Sequence, residues 1–290
     1  TQDAPPVDLR AVTSAAAATA TPLFIDGAAG PLFAMHFAPL PGTPCRRNLL
    51  VVQSFGEELN RCRAMVAMQA RALARSGVGT LVLDAYGTGD SEGEFTDHTW
   101  AGWRADVEAG VTWLRGRPGG CDALWGVRVG AMMAAEAALA LPGIERLLLW
   151  QPVLNGRQFF NQLLRIRVAA DIQDPNGFKK TDDLRRMLQS GQRVEVAGYE
   201  ITRELADGIE AAALPPAESL QRLEVAWFEV VAQPAQPVGR ANQQYLEALG
   251  ASGARLHAET VTGELFWQVH ERAVAPALVA ATARAVEAWA

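Results

Sequence analysis

Short apolar segments alternate with longer helix-like segments through most of this 290-residue chain. Three strand-then-helix units repeat this order: 49–53 before 59–75, 80–84 before 99–115, and 123–127 before 129–140. The strand segments are continuous apolar runs, which is typical of a parallel sheet covered by helices on both faces. The alternation therefore predicts an α/β fold with a mostly parallel, doubly wound sheet.

The remaining segments complete a predicted sheet of eight strands in one domain at 21–290. A hairpin-like segment at 32–38 comes before the repeating units, strand 146–150 follows them, and strands near 223–231 and 255–261 come later. The polar, helix-like segment at 152–219 interrupts this order, and we interpret it as a helical insertion, or cap, after the sixth strand. Residues 1–20 are rich in Ala, Thr and Pro, which predicts a flexible leader.

Composition excludes several classes of function. A protein with a net charge of −6 does not attract a negatively charged phosphate backbone, so we do not expect nucleic acid as a partner. The widely spaced Cys45, Cys62 and Cys121 form neither a disulfide framework nor a metal-ligand pattern, which favours a reducing compartment. No apolar run approaches the roughly 18 residues of a membrane span. We expect a cytoplasmic protein without a bound metal or cofactor.

Residues 123–130, Ala-Leu-Trp-Gly-Val-Arg-Val-Gly, have the form of a tight turn from a strand to a helix. Gly126 and Gly130 stand at the two glycine positions of Gly-x-Ser-x-Gly, the nucleophile elbow of α/β-hydrolases. Arg128 stands where the serine would be, and a guanidinium stays protonated and cannot attack a carbonyl. The alternative interpretation is that the two glycines only let a helix pack closely on a strand.

Two neighbouring segments fit the order of an α/β-hydrolase. Segment 53–56 follows the third strand, where the N–H of Phe55, together with that of Val129, would stabilise an oxyanion. Segment 84–93 resembles the Asp-x-x-Gly-x-Gly-x-Ser-x-Gly turn of these proteins. An ordinary strand-to-helix turn is the alternative at 53–56. A dinucleotide loop at 84–93 is disfavoured, because Glu92 stands where G-x-G-x-x-G needs its last glycine.

The other two positions of a catalytic triad carry no suitable residue. Segment 232–237, after the seventh strand, has no carboxylate, and segment 262–267, after the eighth, has no histidine. The nearest histidine, His270, is predicted to lie in the final helix and is a weak candidate. The chain therefore predicts a hydrolase fold in which all three triad positions are altered together.

Arg128 has two interpretations that the residues leave open. Near a helix N-terminus and two N–H donors, it could bind a small anionic or acyl-type ligand, with Ser54 in the same loop cluster. It could instead form an internal salt bridge with Glu57, Glu58 or Asp90. A rival catalytic hypothesis uses Glu58 or Glu264 as general base on water, with Arg128 stabilising the oxyanion.

The chain resembles the second type of exosortase A system-associated hydrolases, found in bacteria that make exopolysaccharide. The resemblance covers about residues 21–290 and is carried by segments 55–63, 84–93, 124–131, 150–154 and 266–268. It implies an ester or thioester hydrolase fold and a setting in exopolysaccharide production, beside acyl-activating and carrier-protein functions. Arg128 speaks against serine catalysis, so the resemblance fits an accessory binding role.

An acyl carrier protein is a further expected partner. Carrier proteins are acidic, and the segment 152–219 is rich in cations: Arg157, Arg165, Arg167, Lys179, Lys180, Arg185 and Arg186. The alternative is that these charges only solvate helical faces, which is their usual role.

Overall fold

The computed structural model describes residues 20–171, 177–269 and 271–289. Its strands are β1 (Ala20–Asp26), β2 (Pro31–Phe37), β3 (Arg47–Val52), β4 (Val78–Leu83), β5 (Ala123–Val127), β6 (Arg146–Trp150), β7 (Val194–Val196), β8 (Tyr199–Ile201), β9 (Glu224–Val231) and β10 (Arg255–Thr262). Residues 1–19 of the predicted leader lie outside the described residues, and Ala20 begins β1.

Eight of these strands form one sheet in the order β1-β2-β4-β3-β5-β6-β9-β10. β1 pairs antiparallel with β2, and β2 pairs antiparallel with β4. The other neighbours are parallel. The sequence-based prediction of a mostly parallel eight-stranded sheet is therefore confirmed.

Helices cover both faces of the sheet: α1 (Gly56–Arg75), α2 (Trp100–Arg115), α3 (Gly130–Ala140), α7 (Arg240–Ala251) and α8 (Pro276–Glu287). α1 and α8 bury Met65, Leu73 and Leu278 against one face. α2 and α3 bury Val107 and Met133 in the core of the other. The strands between these layers are buried on both faces, which explains their continuous apolar sequences.

The chain between β6 and β9 holds three further helices and the β7–β8 hairpin. The helices are α4 (Gly156–Ala170), α5 (Thr181–Gln189) and α6 (Arg203–Ala211). The hairpin was absent from our helical prediction for 152–219. Its turn residues Ala197 and Gly198 both have positive φ, as a type I′ turn requires. Within the described ranges, no helix combines the length and apolar content needed to cross a membrane.

Candidate functional site

The turn between β5 and α3 has the backbone geometry that the sequence predicted for an elbow. Arg128 adopts the left-handed conformation, with φ of +55°. Its N–H donates to the Trp150 carbonyl oxygen at 3.0 Å, and its own carbonyl accepts from the Val153 N–H at 3.2 Å. These bonds hold an unfavourable conformation that costs a non-glycine residue about 1–2 kcal/mol. The turn therefore presents one side chain above the sheet from a strained backbone position.

Gly126 and Gly130 also let α3 pack closely on the strands. The alternative interpretation of these glycines as packing positions therefore applies to the same turn. A Cβ atom at position 126 would collide with the backbone of Ala131 at the start of α3. A Cβ atom at position 130 would collide with the carbonyl oxygens of Val52 and Gln53. Both glycines are thus needed for the turn to fit between two neighbouring strands and a helix.

The Arg128 guanidinium forms an ion pair with Glu58. Its Nη2 lies 3.0 Å from Glu58 Oε1, and its Nε lies 3.3 Å from Oε2, so the two groups meet side on. Its Nη1 donates to the Gln151 carbonyl oxygen at 3.2 Å, and its Cζ lies 5.2 Å from the centre of the Trp267 ring. Of the three carboxylates considered from the sequence, Glu58 is the partner.

Ser54 extends this pair into a chain of three groups. Its hydroxyl donates to Glu58 Oε2 at 2.8 Å, while Arg128 binds the same carboxylate from the other side. The Ser54 residue is buried, whereas Arg128 and Glu58 keep 15% and 21% of their side-chain surface exposed. The carboxylate therefore links a buried hydroxyl to a guanidinium that still reaches solvent.

The two predicted oxyanion donors directly follow Ser54 and Arg128 in the sequence. Phe55 directly precedes α1, and Gly56 at its start has φ of +60°. Val129 directly precedes α3. Among the described residues, the N–H groups of Phe55 and Val129 find no hydrogen-bond acceptor. Both positions therefore keep unpaired donors, as the sequence-based interpretation requires, but Val129 is fully buried and only Phe55 borders the adjoining cavity.

The turn at 84–93 supports the loop that carries Ser54 and Phe55. Asp84 Oδ2 accepts from Arg63 Nη2 at 2.9 Å and from the Asp90 N–H at 3.2 Å. Asp84 Oδ1 accepts from Gln53 Nε2 at 3.1 Å, immediately before Ser54. Asp84 thus closes its own turn and fixes the neighbouring loop, which gives the motif a structural role.

A cavity of about 630 Å³ opens next to the ion pair. It lies between α1, α4, the β7–β8 hairpin and the loop after β10, and its volume is in the roughly 300–1,000 Å³ range of ligand pockets. Its walls are mainly apolar, and Glu58 and Arg128 lie together in its lining. The apolar lining includes Phe55, Phe159, Leu163, Ile166, Val196, Ile201 and Trp267.

Glu264 and His270 are the remaining candidate catalytic residues. Glu264 is exposed and does not line the cavity that Glu58 and Arg128 share. His270 lies outside the described residues. Of the candidate general bases, Glu58 is therefore the one that the described structure places beside Arg128.

The contacts that three residues make at the site were not predicted from the sequence. Trp267 follows β10, where a hydrolase carries its histidine, and its ring lies against Arg128. Gln151, with φ of +43°, supplies the carbonyl oxygen that Arg128 binds. Glu229 is buried in β9, and burial raises the pKa of its carboxyl while the charge of Arg128 opposes this. An acidic residue within the apolar run 224–231 was the available signal.

Comparisons with known proteins agree on architecture. No family model matches the chain, and no curated protein matches it. Among solved structures, Est1E from Butyrivibrio proteoclasticus with bound ferulic acid has a TM-score of 0.58 at 16% identity, covering 91% of this chain and 96% of its own. A Pyrobaculum calidifontis esterase has a TM-score of 0.59 at 16% identity, covering 96% and 88%.

A third neighbour extends this agreement. It is a serine hydrolase without a lid from Xanthomonas campestris, with a TM-score of 0.55 at 19% identity, covering 93% of this chain and 94% of its own. Likeness at such low identity defines the fold alone. The chain has the α/β-hydrolase fold, with an arginine at the elbow between β5 and α3.

Proposed function

We propose that this protein binds a ligand with an acyl chain in the 630 Å³ cavity and does not use serine catalysis. The observation that carries the proposal is the position of Arg128. It occupies the elbow, and its guanidinium is directed to Glu58 and the Gln151 carbonyl at the edge of a mainly apolar cavity. The nucleophile position is thus filled by a group that positions or binds.

The buried hydroxyl of Ser54 gives little support to serine chemistry. A serine nucleophile needs a base that can take its proton and a third group that orients the base. The Ser54 hydroxyl donates to Glu58, and that carboxylate is already bound by Arg128. The Glu58 oxygens thus already accept hydrogen bonds from Ser54 and Arg128, so this chain of groups is better suited to holding Arg128 in place.

The balance of charge favours an acyl chain over a free anion. The cavity lining contains two carboxylates, Glu57 and Glu58, and two guanidinium groups, Arg61 and Arg128. Arg61 donates to the Trp267 and Gln268 carbonyl oxygens and lies 3.8 Å from Glu57. An incoming anion would have to displace Glu58, whereas an apolar chain gains from leaving water without breaking either pair.

We further propose that the segment 152–219 acts as a cap over the cavity and that the protein acts in exopolysaccharide production. Its role as a cap is supported by Phe159, Leu163 and Ile166 of α4 and by the β7–β8 hairpin, all of which line the cavity. The setting in exopolysaccharide production rests on the resemblance of segments 55–63 and 124–131 to exosortase A system-associated hydrolases.

An acyl carrier protein stays a secondary proposal, because four cations of the segment 152–219 already have internal partners. Arg167 pairs with Asp171, Arg185 with Glu210, and Arg186 with Asp183, while Lys179 donates to the Asp171 carbonyl. Reversing the exposed Arg157, Arg165 and Lys180 to Glu should weaken pull-down of an acyl carrier protein if it docks there. Unchanged pull-down would contradict this partner.

Methyl octanoate tests binding and hydrolysis with one compound. We expect isothermal titration calorimetry to detect saturable binding, while gas chromatography detects no octanoate above the buffer blank. Ile166→Asp should weaken binding at least tenfold, because it places a charge in the apolar wall. Ala169→Asp adds the same charge to an exposed position of α4 outside the cavity lining and should leave binding unchanged. Absence of binding would overturn the proposal.

A second candidate function is hydrolysis with Glu58 as general base. The observation that favours it is the pair of N–H groups of Phe55 and Val129, which have no acceptor in the described chain. They could stabilise an oxyanion while Glu58 activates water. Release of octanoate that is lost in Glu58→Gln but kept in Glu57→Gln would favour this candidate over the first.

A further inference from the structure

A second cavity, of about 180 Å³, lies at Arg128 between the loop after β6, the start of α4 and the start of α7. It shares Arg128, Phe159 and Gln162 with the large cavity. The two cavities therefore meet at the elbow, and one ligand could occupy both.

The second cavity differs from the first because side-chain amides line it. Five residues of its lining carry them: Gln151, Asn155, Gln158, Gln162 and Asn242. Asn155 Oδ1 accepts from the Gln158 N–H at 3.0 Å, and Asn242 Nδ2 donates to the buried Glu229 at 2.6 Å. Within the described residues, the side-chain amides of Gln158 and Gln162 and the oxygen of Asn242 have no protein partner. These groups offer both donors and acceptors to a ligand.

Charge selects among the ligands that such amides could bind. Arg128 is the one charged residue in the described lining, and it is bound by Glu58 and the Gln151 carbonyl. Glu229, directly behind Asn242, would disfavour a second negative charge. Amides that both donate and accept hydrogen bonds match hydroxyl groups, which do the same. The cavity is therefore suited to a neutral group with several hydroxyls.

We infer that the ligand is a neutral amphiphile, with its alkyl or acyl chain in the large cavity and a sugar-like, polyhydroxylated head group in the amide-lined cavity. This inference rests on the proposed function, because it assigns the chain to the same 630 Å³ cavity. It adds the chemical class of the head group. Phe159, which is buried and lines both cavities, forms the wall at which chain and head group join.

Three probes separate the two halves of the ligand: 1-octanol, n-octyl β-D-glucopyranoside below its micellar concentration, and glucose. By calorimetry we expect the glucoside to bind about tenfold more tightly than 1-octanol, since two or three neutral hydrogen bonds of typical strength supply about this factor. Glucose alone should bind weakly, because it lacks the chain.

Two variants remove the head-group site without touching Glu58 or Arg128. Gln158→Leu deletes an exposed amide that lines only the small cavity, and Ala241→Trp fills that cavity from an exposed position of α7. Ala241→Trp should lower the glucoside affinity to that of 1-octanol, Gln158→Leu should lower it part of the way, and both should leave the affinity for 1-octanol unchanged. Gln244→Leu, an exposed glutamine of α7 outside both linings, is the matched control and should change neither affinity.

The outcomes distinguish this inference from the proposed function. If 1-octanol binds and the glucoside gains nothing, the head-group assignment is wrong and the acyl cavity stands. If neither probe binds, the proposed function itself fails. A glucoside advantage that survives both Gln158→Leu and Ala241→Trp would place the sugar elsewhere and overturn the assignment.

Discussion

Each end of the sheet holds arginines paired with carboxylates, but the two ends differ in what surrounds the pairs. At the amino ends of the strands, Arg146 lies 2.6 Å from Asp122 and 3.4 Å from Glu224, and Arg47 lies 3.6 Å from Asp122. Both arginines are 7% exposed. At the carboxyl ends, Arg128 binds Glu58 with similar chemistry, yet its backbone is strained and its guanidinium lines a large cavity.

This difference shows that an ion pair is weak evidence for a functional site. The pairs of Arg47 and Arg146 join the beginnings of neighbouring strands, and the Trp289 ring covers Arg47 at 5.8 Å. A structural role is enough to account for these pairs. Arg128 combines an ion pair with a positive φ and an adjoining cavity, and strain that persists beside a cavity is a recognised mark of a functional site.

The largest expected effect is a loss of stability at the amino end. Arg146→Met removes the cation between Asp122 and Glu224 and leaves both carboxylates without their closest partner. Breaking a buried pair from one side costs about 3–5 kcal/mol, and because Asp122 and Glu224 keep 29% and 21% of their side-chain surface exposed, the free energy of unfolding should fall by about 3 kcal/mol, the low end of this range. Urea denaturation followed by circular dichroism measures it.

Arg255→Met is the matched control for this prediction. Arg255 lies 3.9 Å from the same Glu224, but its side chain is 69% exposed. Exposed pairs contribute between zero and about 1 kcal/mol, so this change should be small. Equal losses in Arg146→Met and Arg255→Met would remove the distinction between buried and surface pairs at this end.

Sequence alone predicted the sheet and the elbow, because both depend on local patterns. Continuous apolar runs such as 123–127 and 146–150 identify buried parallel strands, and the spacing of Gly126 and Gly130 identifies the turn. The β7–β8 hairpin was missed because strands of three residues leave little pattern between two helices. Short elements of this kind are stabilised by tertiary packing more than by their own sequence.

The partners of Arg128 could be predicted only as a set. Glu57, Glu58 and Asp90 were all plausible, and the direction of each side chain on α1 and on the turn at 84–93 decided between them. The contacts of Trp267 and Gln151 with Arg128 were not predicted, because they depend on how two loops approach the elbow. Such approaches are set by the packing of distant elements.

A second prediction uses the pH dependence of stability to test a buried carboxyl group near the cavity end of the sheet. Behind the Phe55 loop, burial raises the pKa of Asp106 from 3.8 to about 6. Above that pH the folded protein must hold a buried charge, which lowers stability relative to the unfolded chain. Asp106→Asn should therefore raise the free energy of unfolding at pH 7.5 by roughly 3 kcal/mol, and the gain should vanish as pH falls to about 4.

His98 provides the opposite sign in the same region. Burial lowers its pKa from 6.5 to about 4, so the unfolded chain takes up the proton first and stability falls as pH decreases from 6.5 to 4. In the parent protein, protonation of Asp106 over the same pH range raises stability and partly offsets this fall. In Asp106→Asn this offset is absent, so stability should fall more steeply, and thermal unfolding between pH 6.5 and 4 measures the difference. Parallel pH profiles for the variant and the parent protein would refute the assignment to Asp106.

The third prediction concerns the ion pair at the cavity. Glu58→Gln leaves Arg128 without its carboxylate but keeps an oxygen that can accept one hydrogen bond. Because both groups retain some contact with solvent, the expected loss is about 1–2 kcal/mol, smaller than at Arg146. Glu57→Gln, whose carboxylate lies 3.8 Å from Arg61 at a more exposed position, should change stability by less than about 0.5 kcal/mol. Chemical denaturation of both variants decides the comparison, and a larger loss in Glu57→Gln would contradict it.

The smallest expected effect isolates the strain at the elbow from its ion pair. Arg128→Ala and Arg128→Gly remove the same guanidinium, so both lose the contact with Glu58 equally. They differ in backbone preference, since a residue with φ of +55° favours glycine over alanine by about 1 kcal/mol. Arg128→Gly should therefore unfold at a higher denaturant concentration than Arg128→Ala. At Arg146, in an ordinary strand, the same two substitutions should rank in the reverse order, because glycine is disfavoured there. Equal ranking at both positions would mean that the turn relaxes when its arginine is removed, and the strain would then belong to the side chain's contacts and not to the fold.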